Sequence, residues 1–73
     1  MNKENKAELR KSEILDIAES LFIEKGYEYT TINDILNQSG IAKGSLYYYF
    51  KSKEDVLDGI IRRRGDEYME AAR

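Results

Sequence analysis

Cysteine, histidine, proline and tryptophan are all absent from this 73-residue sequence. Without cysteine there is neither a disulfide nor a thiolate zinc site. Without histidine the chain lacks the commonest general base and the commonest metal ligand together. Carboxylates remain, but no paired acidic motif stands out, so an enzyme is not the reading and neither a cofactor nor a metal is expected. The lack of cysteine fits a reducing cytosol. Positions 1–10 are polar and charged, with no apolar stretch for a signal peptide. No run approaches the roughly 18 apolar residues of a membrane helix. The expectation is one small soluble, cytoplasmic domain with no membrane partner.

Acids slightly outnumber bases, giving a net charge of -2 and an isoelectric point near 5.1. That sum argues against a nucleic-acid binder, whose surface is often basic. The distribution argues otherwise. Acidic residues run from Glu4 to Asp34 and resume at Glu54, and between Ile35 and Lys53 the only charges are Lys43, Lys51 and Lys53. One positive patch on an acidic body steers a phosphate backbone to one place and away from the rest.

Apolar residues recur at helical spacing in four blocks. In the first, about 7–25, Ile14, Ile17, Ala18, Leu21 and Phe22 share a face, and Glu13, Asp16, Glu19, Ser20 and Glu24 take the other sides. Gly26 follows as a C-terminal cap needing positive φ. In the second, Thr30 and Thr31 offer capping hydroxyls and Asp34 completes a weak capping box. Ile32, Ile35, Leu36 and Ser39 form its inner stripe, and Gly40 ends it. The third covers 43–50. At 100° per residue, Leu46 and Phe50 share one side, Gly44, Ser45 and Tyr48 point away, and Tyr47 and Tyr49 flank. The fourth starts at Ser52, with Asp55 three residues on, and carries Val56, Leu57, Ile60 and Ile61 as its stripe. The helix can continue past Gly65 to about Ala72, although Gly65 costs roughly 1 kcal/mol relative to alanine in an exposed helix interior and is a place for a bend or break. Arg62, Arg63 and Arg64 spread around that helix and read as a solvated face, within reach of Asp58, Asp66 and Glu67, or as contacts to a further domain.

Two short helices joined by a tight glycine-containing turn, about 31–50, read as a helix-turn-helix, in which the first helix braces the second against the major groove. The stretch Gly26-Tyr27-Glu28-Tyr29-Thr30-Thr31-Ile32, then Asp34-Ile35, then Ser39-Gly40-Ile41-Ala42-Lys43-Gly44-Ser45-Leu46-Tyr47-Tyr48-Tyr49-Phe50-Lys51-Ser52-Lys53-Glu54, closely resembles the N-terminal domain of tetracycline-repressor (TetR/AcrR-like) regulators. The resemblance implies an all-α fold, a three-helix homeodomain-like helix-turn-helix domain over 1–60 plus the start of a fourth, linking helix continuing through 61–73. It implies repression, a near-palindromic double-stranded operator and a homodimer in the intact regulator. It also implies a small-molecule inducer bound by a C-terminal domain that these 73 residues do not include, so the chain is either a fragment or an unusually short protein. Leu36 and Ser39 depart from the alanines the family often has there.

Eight residues are candidates for DNA contact. Lys43 pairs with phosphate or a guanine edge, or is a solvated lysine near a turn. Gly44 lets the backbone approach closely, and Ser45 donates or accepts. Three consecutive tyrosines span about 200° of a helix and cannot all be buried. Tyr48 is the exposed one, and the family resemblance extends contacts to Tyr47 and Tyr49, which otherwise pack on neighbouring helices. Lys53, at a helix N-terminus where its charge opposes the dipole, invites a phosphate or is an ordinary surface lysine. Thr31 caps its helix and touches phosphate, or caps alone. The rival function is a protein-interaction module using the fourth helix, where Tyr68 and Met69 are exposed.

Overall fold

The computed structural model describes the backbone of residues 3–71 and the side chains of residues 6–65. It contains four helices, α1 (Lys3–Lys25), α2 (Ile32–Ser39), α3 (Lys43–Tyr49) and α4 (Lys53–Ala71), and no strand among the described residues. The fold is the expected all-α arrangement. None of these helices is long and apolar enough to cross a membrane.

α1 begins at Lys3, earlier than its apolar pattern announces. Its inner face presents Ile14, Ala18 and Leu21, each at most 6% exposed, and packs against both α2 and α4. Leu15 is also buried, although the periodic stripe did not include it. It faces α4, where Gly59 leaves room for it. A Cβ built on Gly59 would stand 3.1 Å from Leu15 Cδ2 and 3.2 Å from Phe50 Cε1, so the glycine permits a close helix approach.

The connections are fixed locally. Gly26 (φ 95°) ends α1, and its N–H donates to the Phe22 carbonyl at 2.9 Å. Thr30 is fully buried, and its hydroxyl is 2.8 Å from the Gly26 carbonyl and 3.2 Å from that of Leu21. One shared proton therefore ties the incoming turn to the end of α1. Thr31 and Asp34 form a complete capping box at α2. Gly40 (φ 73°) closes α2 by donating to the Leu36 carbonyl at 2.9 Å, a left-handed conformation that favours glycine. Ser52 caps α4 by accepting from the Asp55 N–H at 3.2 Å, and the Asp55 carboxylate accepts from Lys51 N–H at 2.9 Å. The return bond thus falls one residue before the cap.

Two expectations for α4 need correction. Ile61 is 59% exposed and lies outside the apolar stripe, which consists of Val56 and Ile60 with Leu57 half-buried. As expected, the helix continues past Gly65, to Ala71, and the break that the glycine allows does not occur. Arg63 is half-buried and Arg64, though exposed, is bound to α1, so neither is simply part of a solvated face. Arg63 bonds Asp16 at 2.9 Å and Glu19 at 3.0 Å, and Arg64 also pairs with Glu19, so both clamp α4 to α1. Glu19 is half-buried beneath them. Only Arg62 behaves as expected, paired with Asp58 one turn back at 2.8 Å. The side chains of Tyr68 and Met69 lie outside the described residues.

Thr30→Val keeps the shape and removes the hydroxyl. Both carbonyls retain backbone donors in or near the turn, so the expected loss is about 1 kcal/mol. In a domain of this size that lowers the thermal midpoint by roughly 4–8 °C, measurable by circular dichroism.

Candidate nucleic-acid interface

α3 is seven residues long and gains its position from two anchors. Leu46 is completely buried and Phe50 is 5% exposed. Phe50 also terminates the helix with an extended backbone, and its N–H donates to the Leu46 carbonyl at 2.8 Å. With that side turned inward, Lys43, Gly44 and Ser45 are exposed and Tyr48 is 77% exposed. Nothing lies within 4 Å of a Cβ built on Gly44, so no internal packing requires a glycine there. Unlike α2, α3 starts without a side-chain cap.

Tyr47 and Tyr49 are half-buried flanks. Tyr49 packs against the core, and its ring meets that of Tyr48 edge-on, 5.2 Å between centroids at 82°. The ring in the core therefore supports the ring in solvent. Lys51 is exposed, with its ammonium 3.4 Å from the Tyr47 carbonyl at the end of α3.

Lys53 has an environment that its position alone does not reveal. Its ammonium donates to the Tyr27 carbonyl at 2.7 Å and sits 4.3 Å from the centre of the Tyr27 ring. That ring meets Phe22 edge-on at 5.0 Å. Burial, and then the negative charge of Glu54, push the Tyr27 phenol above its ordinary pKa. Lys53 thus joins the start of α4 to the turn after α1, and one of its three N–H donors is already used. Thr31 is exposed at the N-cap of α2, and its Oγ1 accepts from the Asp34 N–H at 3.1 Å.

Of the eight candidates, Lys43, Gly44, Ser45 and Tyr48 share the outer side of α3. Tyr47 and Tyr49 flank it, while Thr31 and Lys53 stand at the starts of the two neighbouring helices. Tyr27 was not anticipated, because its contact with Lys53 spans 26 residues and leaves no periodic trace.

Two short helices joined by a glycine turn, with a hydrophilic outer face on the second, define a helix-turn-helix DNA-binding domain. The comparisons agree. The family described as bacterial regulatory proteins, tetR family, matches residues 14–60, and the chain belongs to it. The chain is 51% identical over 53 residues to the HTH-type transcriptional repressor KstR2 of Rhodococcus jostii, covering 73% of this chain and 26% of that protein. It is 40% identical over 60 residues to the HTH-type transcriptional regulator QacR of Staphylococcus aureus, covering 82% and 32%. It is 34% identical over 58 residues to the fatty acid metabolism regulator protein of Bacillus subtilis, covering 80% and 30%. The chain thus spans about a quarter to a third of the length of these relatives.

Asp34 couples this region to pH. The hydrogen bond from Lys25 (2.8 Å), then that from the Thr31 N–H (2.9 Å), hold its carboxyl below the usual carboxylate range. A depressed folded-state pKa gives stability that is fully present above the unfolded value of about 3.9 and is lost as pH falls through the lowered value. Asp34→Asn should therefore melt at a lower temperature than the parent at neutral pH. The gap should narrow in acid, as read from melting curves across pH.

Proposed function

We propose that the chain binds double-stranded DNA sequence-specifically by laying α3 in the major groove, as the operator-binding part of a transcriptional repressor. The observation that carries this is the rotation of α3, with Leu46 and Phe50 inward and Gly44, Ser45 and Tyr48 toward water. Lys43 and Tyr48 anchor phosphates, while Gly44, Ser45 and Tyr47 approach base edges. Tyr49 holds Tyr48 in place and adds a contact at the flank. Lys53 keeps two N–H donors for a phosphate beside its bond to Tyr27, and the Thr31 hydroxyl proton is available for another.

Repression is supported by the names of relatives such as KstR2, and by the biofilm operon negative regulator of Staphylococcus epidermidis, 37% identical over 70 residues. In this reading the intact regulator is a cytoplasmic homodimer on a near-palindromic operator, with two copies of α3 about 34–36 Å apart. An inducer acts through a C-terminal domain beyond this chain. The 1–60 segment is the DNA-binding unit, and 61–73 carries α4 onward. The rival reading, a protein-interaction surface on α4, draws on the exposure of Ile61.

A salt titration separates the two. The logarithm of duplex affinity should fall linearly with log salt, with a slope of about -0.9 per neutralised phosphate, whereas association through an apolar helix side is nearly flat. A flat response in fluorescence anisotropy would remove the duplex reading. Gly44→Ala sharpens the test. Open space around that position, together with alanine's higher helix propensity, gives an equal or higher melting temperature. The added methyl stands where the backbone approaches the duplex, so affinity should drop while the fold gains.

A further inference from the structure

The turn between α2 and α3 forms one wall of a groove of about 440 Å³ that reaches back to α1. Its lining includes Arg10, Ser39, Ile41, Ala42, Ser45 and Tyr49. Ser45 and Tyr49 belong to α3, so the groove continues the surface that carries the proposed DNA contacts. Its lining is polar, without an acid, and Arg10 is its one ionised side chain. The acids Glu13 and Asp16 line a neighbouring cleft that shares Arg10, Ser39 and Ile41 with this one.

Arg10 is not committed to an internal partner. Its guanidinium is 3.8 Å from the Glu13 carboxylate, and the two side chains are 52% and 65% exposed. Such a pair is screened and easily exchanged. Arg63 and Arg64, by contrast, are bound to acids of α1. The turn itself is held in shape. The Ser39 hydroxyl donates to the Leu36 carbonyl and accepts from the Ile41 N–H, both at 3.3 Å.

We propose that Arg10 is a DNA-anchoring residue, and that this groove receives the sugar-phosphate backbone next to the major groove occupied by α3. The inference rests on the duplex-binding reading and extends it to α1, 33 residues before the recognition helix begins. A guanidinium offers five donors in a fork suited to phosphate oxygens. Tyr49, in the same lining, brings a neutral donor. This contact reads no base, so it strengthens operator and random duplexes alike.

The test compares the parent chain with Arg10→Ala, Arg10→Lys and Arg62→Gln on random-sequence and operator-like duplexes, by anisotropy across a salt series. Arg62 is an exposed α4 residue outside the groove and controls for net charge. The expected result for Arg10→Ala is a salt slope shallower by about 0.9 and an affinity lower by roughly fivefold to tenfold near 0.1 M salt, equal on both duplexes. Arg10→Lys restores the slope, Arg62→Gln leaves it unchanged, and melting temperatures stay together. An Arg10→Ala slope equal to the parent's overturns the inference while leaving the duplex reading intact. So does an Arg62→Gln variant that loses as much, or a loss confined to one duplex sequence. A parent chain with no salt-dependent duplex binding ends both.

Discussion

The burial of Leu46 and Phe50 fixes the rotation of α3 about its own axis, and the rest of the interface follows from that constraint. Removing these two side chains from water contributes on the order of 1.5–3 kcal/mol each. Rolling the helix by even one residue position would turn Ser45 and Tyr49, or Tyr47 and Lys51, inward and expose both anchors. A seven-residue helix has too few turns to be stable alone. Its orientation is therefore inherited from the body formed by α1, α2 and α4, with Ile14, Ile35 and Val56 completely buried beneath it.

Charge is arranged to the same end. The net charge is negative, yet the acids are concentrated on α1 and α4. Asp16 and Glu19 are neutralised by arginines of α4, and Asp34 by Lys25. These pairs hold helices together where the surface is acidic. Lys43 and Lys51 lie on the α3 side with no acid between Ile35 and Lys53 to offset them. A small acidic protein can thus present a local positive field, because α1 and α4 carry acids and bases together while the stretch through α3 carries lysines and no acid.

What was legible in the sequence was local. The capping box of Thr31 and Asp34, the left-handed Gly26 and Gly40, and the inward Leu46 and Phe50 all depend on spacings of one to four residues, which helix geometry converts directly into faces and ends. What escaped was set by packing between distant segments. Leu15 is buried because α4 approaches it at Gly59. Ile61 is exposed because the covered side of α4 is narrower than its apolar pattern. The attachment of Arg63 to Glu19 spans 44 residues, and that of Lys53 to Tyr27 spans 26. For the interface, the exposed side of α3 could be read in advance. The engagement of Lys53 and the exposure of Arg10 beside the turn could not.

Gly59 leaves the α1–α4 contact little clearance. By helix propensity alone, alanine would outrank glycine there, but clearance decides, since even one methyl presses on Leu15 and Phe50 at once. Phe50 is also the residue on which α3 ends. A change of a few tenths of an ångström in the middle of α4 therefore cannot remain private to that helix. Sequence drift at position 59 is tied to compensation at Leu15 or at the seat of Phe50, and through the latter to the aim of the tyrosines.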